Sequence, residues 1–128
     1  MAGLSRRGLF AAGLMAPGIV SAQGAFPSAP IRFVIAFPPG GPSDILGRLV
    51  ARKITEQKGW QVVVDNRPGG NSVIATEALA RAEPDGHTLL LTTDFHSINA
   101  AFGIALPYDS LKDFAFVARV STSPLMLV

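Results

Sequence analysis

The sequence predicts an α/β fold, a mainly parallel sheet with flanking helices, on three observations. Short apolar runs rich in β-branched residues and leucine alternate with segments of helical periodicity. The first run, Ile31-Arg32-Phe33-Val34-Ile35-Ala36, is nearly continuous in apolar character, as a strand covered on both faces requires. Each of the first three runs then passes through a polar or Pro/Gly loop directly into a helical segment.

The elements follow in order. A strand over 31–37 leads into Pro38-Pro39-Gly40-Gly41-Pro42, after which Ser43 or Asp44 can cap a helix. Ile45, Leu46, Leu49, Val50 and Ile54 fall on one face of that helix, and Gly59 is placed to end it in a left-handed conformation. Val62-Val63-Val64 centres a second strand over 61–65. The loop Asn66-Arg67-Pro68-Gly69-Gly70-Asn71-Ser72 offers Asn71 or Ser72 as cap for a helix reaching about residue 82, which Glu83-Pro84-Asp85-Gly86 stops. Leu89-Leu90-Leu91 centres a third strand over 88–92, and 93–97 leads into a short helical piece over 98–102. Residues 114–120 read as a fourth strand and 125–128 as the start of another.

Residues 1–22 read as an export signal. Arg6 and Arg7 form a positive start, Leu9 opens a modestly apolar stretch reaching Val20, and Val20-Ser21-Ala22 supplies small residues before a cut ahead of Gln23. Ser5-Arg6-Arg7-Gly8-Leu9-Phe10 resembles a twin-arginine signal, with an ordinary secretory signal as the alternative. The apolar stretch is shorter than the roughly 20 residues that span a bilayer. The remainder, 23–128, is of a size for one domain and is expected in the periplasm.

Arg6 and Arg7 also account for the whole formal net charge of +2. Without them no basic patch remains, which argues against nucleic acid as a partner. The chain has no cysteine, so disulfides, thiolate chemistry and cysteine metal sites are excluded, and neither metal nor cofactor is expected.

In an open parallel sheet the loops leaving the carboxyl ends of the strands share one edge, where ligands bind. Loops 38–44, 66–72 and 93–97 should therefore converge. The first of them matches neither G-x-G-x-x-G nor a phosphate loop, and it carries no Lys or Arg. An anion there would be held by backbone amides, hydroxyls and water at the positive end of the helix dipole. A rigid turn is the alternative reading, since proline fixes φ and glycine permits positive values. Asp44 would serve the dipole, or receive a ligand amino group, and would oppose a carboxylate in direct contact. Arg67 reads as part of a solvated turn, and His87 as the half-exposed start of a strand. A Ser43–His96–Asp94 hydrolase is a second reading, because hydroxyl, imidazole and carboxylate all fall on the predicted edge.

The run from Pro30 through Phe37-Pro38-Pro39-Gly40-Gly41-Pro42-Ser43-Asp44 is similar to the start of the Bug-type extracytoplasmic solute receptors of tripartite tricarboxylate transporters. The resemblance continues through Val62-Val63-Val64-Asp65-Asn66-Arg67-Pro68-Gly69-Gly70-Asn71 and Ala82-Glu83-Pro84-Asp85-Gly86-His87-Thr88-Leu89-Leu90-Leu91. It resumes at Leu106-Pro107-Tyr108-Asp109 and Lys112-Asp113-Phe114. It implies the first lobe of a two-lobed Venus-flytrap protein, incomplete here, that binds a small carboxylate or acidic amino-acid solute, without catalysis. The implied receptor is a monomer that passes its solute to a membrane permease. By the same resemblance the ligand contacts fall on Phe37, Pro39, Gly40, Gly41, Ser43 and Asp44 and on Thr92, Thr93 and His96. Two departures stand out: a shortened Gly-rich loop after Arg67, and Asp94-Phe95 where small residues are usual. Receptors of this kind are more than twice as long, so the expectation is a truncated form with impaired binding, or a remnant without function.

Overall fold

A computed structural model describes residues 25–123 of the chain. The export signal and the run over 125–128 lie outside the described residues. Three parallel strands, β1 (Ile31–Ile35), β2 (Val62–Asn66) and β3 (Thr88–Leu91), form one sheet in the order β2-β1-β3. Helix α1 (Pro42–Lys58) follows β1, α2 (Val73–Ala80) follows β2 after a 3₁₀ turn (Gly70–Ser72), and α3 (Phe95–Ala101) follows β3. Ile31 pairs with Val62 on one side of β1, and Phe33 pairs with Leu89 on the other. The strand–loop–helix order is as the sequence predicts, and all three loops leave the carboxyl ends of the strands.

β1 is central and covered on both faces. Val34, Ala36 and Ala75 of α2 form a core with Phe37 and Leu90 packed against it. On the other face α1 lies close to Ile35, which is fully buried. A Cβ added at Gly47 would stand 2.5 Å from Ile35 Cδ1 and 3.2 Å from Leu91 Cδ2. Burying Val34 and Ile35 stabilises the fold by about 1.5–3 kcal/mol each.

This close approach corrects the expected inner face of α1. Asp44, Gly47 and Ala51 are buried, whereas Ile45 and Leu49 are 63% and 46% exposed. Small side chains let the helix backbone lie against the sheet, so the bulky residues sit on the flanks. The start of α1 differs as well. Gly41 is the N-cap and Pro42 occupies the first turn, where its fixed φ favours a helix; neither Ser43 nor Asp44 makes a side-chain cap. Gly59 ends the helix at φ 70°, its N–H bonded to the Thr55 carbonyl, as expected.

α2 begins at Val73 with Ser72, one of the two expected caps, in the N-cap position but without a side-chain cap hydrogen bond, and ends at Ala80. Gly69, Gly70, Asn71 and Ser72 all have positive φ, the last two at 49° and 73°. α3 starts three residues before the expected 98. The predicted fourth strand over 114–120 does not form: these residues have no ladder partner, and Phe116 and Val117 are 70% and 84% exposed. They join neither open edge of the sheet, β2 nor β3, and Phe114 and Phe116 instead border the His96 ring.

Candidate functional site

Side chains tie the three loops together at the carboxyl edge. Asn66, the last residue of β2, donates from Nδ2 to the Phe37 carbonyl at 3.0 Å and to Asp44 Oδ1 at 2.8 Å, joining the second loop to the first. Asn99 of α3 donates to the Asn71 carbonyl at 2.9 Å, joining the third to the second. The rings of Phe37 and Phe95, 6.4 Å apart, connect the first and third.

Asp44 is the hub of the first loop and is 3% exposed. Its Oδ2 accepts the Gly40 N–H at 2.9 Å and Arg48 Nε at 2.9 Å, while Oδ1 accepts Asn66. Arg48 also reaches Asn66 Oδ1 at 3.1 Å, closing the network. The Arg48 hydrogen bond, then those of Gly40 and Asn66, lower the Asp44 pKa to about 2, against an opposing effect of burial. Asp44 therefore holds the loop in shape, its oxygens are committed to internal partners, and its charge is paired with Arg48. The amides of Ser43 and Asp44, in the first turn of α1, have no hydrogen-bond partner among the described residues.

The other predicted site residues divide into two groups. Pro39 and Gly40 are exposed, with Gly40 at φ 81°, and Gly41 and Ser43 are half-buried beside them. Thr92 Oγ1 is buried without a partner, and Thr93 is exposed, its Oγ1 close to the Phe95 N–H. His96 does not stand open beside them. It is buried, its Nε2 lies 2.9 Å from the Ser110 carbonyl oxygen, and Tyr108, Phe114 and Phe116 surround its ring. No hydrogen bond joins Ser43, Asp94 and His96 among the described residues, so the hydrolase geometry is not assembled. Arg67 pairs with Asp65 at 3.0 Å, in line with a solvated turn.

Sequence reasoning passed over Arg48 and Asn99. The Asp44–Arg48 spacing of i,i+4 on a helix was an available signal for the first. The Asn99 bond to Asn71 spans 28 residues and left no local trace. A shallow groove lined by Phe26, Pro27, Pro30 and Trp60 lies at the opposite, amino end of the strands, away from the converging loops. No cluster of metal-ligating side chains occurs among the described residues, and no helix among them is long and apolar enough to cross a membrane.

A family model described as the tripartite tricarboxylate transporter family receptor matches residues 46–128. Protein BugT of Bordetella pertussis is 42% identical over 121 residues, covering 91% of this chain and 36% of BugT. MatC of Rhodopseudomonas palustris, solved with bound malate, aligns at TM-score 0.64 and 32% identity over 70% of this chain and 31% of its own. The R. palustris protein Rpa4515, solved with adipate, aligns at TM-score 0.54 and 34% identity, over 56% of this chain and 24% of its own. The chain spans 31% to 38% of the length of three curated relatives it matches.

Proposed function

The chain belongs to the tripartite tricarboxylate transporter receptor family, and on that premise we propose that it binds one carboxylate of a small dicarboxylate at the carboxyl edge of its sheet. The observation that carries this reading is the Asp44–Arg48 pair. A lone carboxylate beside the first turn of α1 would repel an acid, but Arg48 pairs its charge and three internal donors occupy its oxygens. The free amides of Ser43 and Asp44 then meet the solute at the positive end of the helix without opposing charge. Phe37, Pro39, Gly40 and Gly41 shape the rim, the hydroxyls of Ser43 and Thr93 complete the polar wall, and Thr92 contributes from behind them. Malate and adipate, the solutes of the two R. palustris proteins, fit this chemistry.

In this reading the protein acts in the periplasm, reached through the signal over 1–22, and hands its solute to a membrane permease with no chemical step. The edge loops are open to water, with Pro38, Pro39 and Gly40 exposed. These 128 residues alone therefore bind weakly, because a facing wall would supply the remaining contacts and exclude solvent. Amide NMR shifts of the full chain, followed as malate or adipate is added, test the site. Shifts should concentrate at Ser43, Asp44, Thr92 and Thr93 and vanish in Ser43→Pro, which deletes one amide donor where a helix tolerates proline. Binding that survives Ser43→Pro unchanged would refute the amide site, and submicromolar affinity would refute the open half-site.

A further inference from the structure

Three of the buried polar atoms without a hydrogen-bond partner belong to one cluster: His96 Nδ1, Tyr108 Oη and Ser110 Oγ. His96 is 7% exposed, and its ring is parallel to that of Tyr108, centroids 6.3 Å apart, with the edges of Phe114 and Phe116 at 5.2 and 5.7 Å. The partner of Nε2 identifies its protonation. A carbonyl oxygen only accepts, so the 2.9 Å contact with Ser110 places a hydrogen on Nε2. A neutral ring then leaves Nδ1 as a bare acceptor, and the Tyr108 and Ser110 hydroxyls, which have protons to give, are likewise without partners. The neighbouring charges are engaged elsewhere: Asp109 accepts the amides of Leu111 and Lys112, Asp113 accepts that of Asp109, and Lys112 pairs with Asp109. Asp94 is exposed at the start of α3.

We propose that His96 is a positioning residue rather than a solute contact. Its neutral, Nε2-protonated imidazole clasps segment 106–116 to α3 and so fixes the third loop, while a Tyr108 or Ser110 hydroxyl, directly or through one buried water, donates to Nδ1. The effect on solute rests on the reading of the carboxyl edge as the binding site; the clasp itself does not.

The chain supplies its own control. The only other histidine, His87, accepts the Ser28 N–H on Nε2 at 3.1 Å, which requires the opposite tautomer. Long-range proton–nitrogen NMR of the full chain at neutral pH should show one histidine of each tautomer. Finding His96 protonated on Nδ1, or on both nitrogens, would overturn the proposal. Two variants separate donor from ring: His96→Phe keeps the aromatic packing, and His96→Gln keeps an N–H donor in the Nε2 position. Amide exchange over 108–112 should quicken about fivefold in His96→Phe, the worth of one net hydrogen bond, and return toward the native rate in His96→Gln. Native exchange in His96→Phe would count against the clasp. Malate-induced shifts at Thr92 and Thr93 should weaken in parallel, and equal shifts in all three proteins would refute the positioning role. If the native chain gives no malate shift at all, the binding-site reading fails while tautomer and exchange still decide the clasp.

Discussion

Adding one methyl group at Gly47 measures how closely α1 rests on the sheet. The new Cβ would lie 2.5 Å from Ile35 Cδ1 and 3.3 Å from its Cγ1, against a side chain that is fully buried and must shift to admit it. Overpacking of this kind costs typically 1–3 kcal/mol, while replacing a mid-helix glycine by alanine returns about 0.8–1 kcal/mol. The net expectation for Gly47→Ala is a loss of about 1 kcal/mol, or a melting temperature lower by about 4–8 °C for a domain of this size. Ile35→Val deletes the clashing Cδ1 and by itself costs about 0.5–1.5 kcal/mol. In that background Gly47→Ala should turn neutral or stabilising, a coupling of about 1–2 kcal/mol between touching sites. Urea unfolding of the four proteins gives the cycle. Additivity within about 0.3–0.5 kcal/mol, or a more stable Gly47→Ala single variant, would refute the close approach.

Acid should act through Asp44. Its pKa falls from 3.8 to about 2 on folding, so its contribution to stability is complete above 3.8 and is lost as pH drops toward 2. Asp44→Asn should remove much of the acid sensitivity seen in urea unfolding across that window, leaving the part due to Asp65, held low by Arg32 and then Arg67, and to Asp85 and Asp109, held low by backbone amides; an unchanged profile would refute the hub. Ser72 is held at φ 73° with its buried hydroxyl unpartnered. Ser72→Gly should raise stability by about 1 kcal/mol, the relieved strain exceeding the added chain entropy, and a lower melting temperature would show that the hydroxyl does have a partner.

The legible parts of this fold were those written in local backbone chemistry. The apolar run of β1 and the left-handed Gly59 each act within a few residues, and each appears where the sequence places it. Convergence of the three loops followed from the parallel order alone. Side-chain direction was harder. Asp44 was readable as a first-turn carboxylate, but its turn toward the Gly40 amide depends on Asn66, 22 positions away. His96 was readable as a loop residue near the edge, yet α3 begins at Phe95, which makes it a helical residue packed on a distant tyrosine. The strand expected over 114–120 had the right composition, yet its phenylalanines pack on His96 instead of the segment joining the open edge of β2 or β3, and pattern alone cannot distinguish those cases.

The position of β1 bears on how the chain is made. Of the described strands it is the first to be synthesised, yet both its partners come later, roughly 30 and 55 residues further on, so its first ladder waits for Asn66 and its second for Leu91. Before Asn66 is made, Phe33, Val34 and Ile35 have no neighbouring strand, and of the described elements only α1 is available to lie on them. A chaperone or export factor that scans nascent chains for bare apolar segments would meet β1 before a second strand pairs with it. The best-protected strand of the finished fold is the longest-unpaired strand of the growing one.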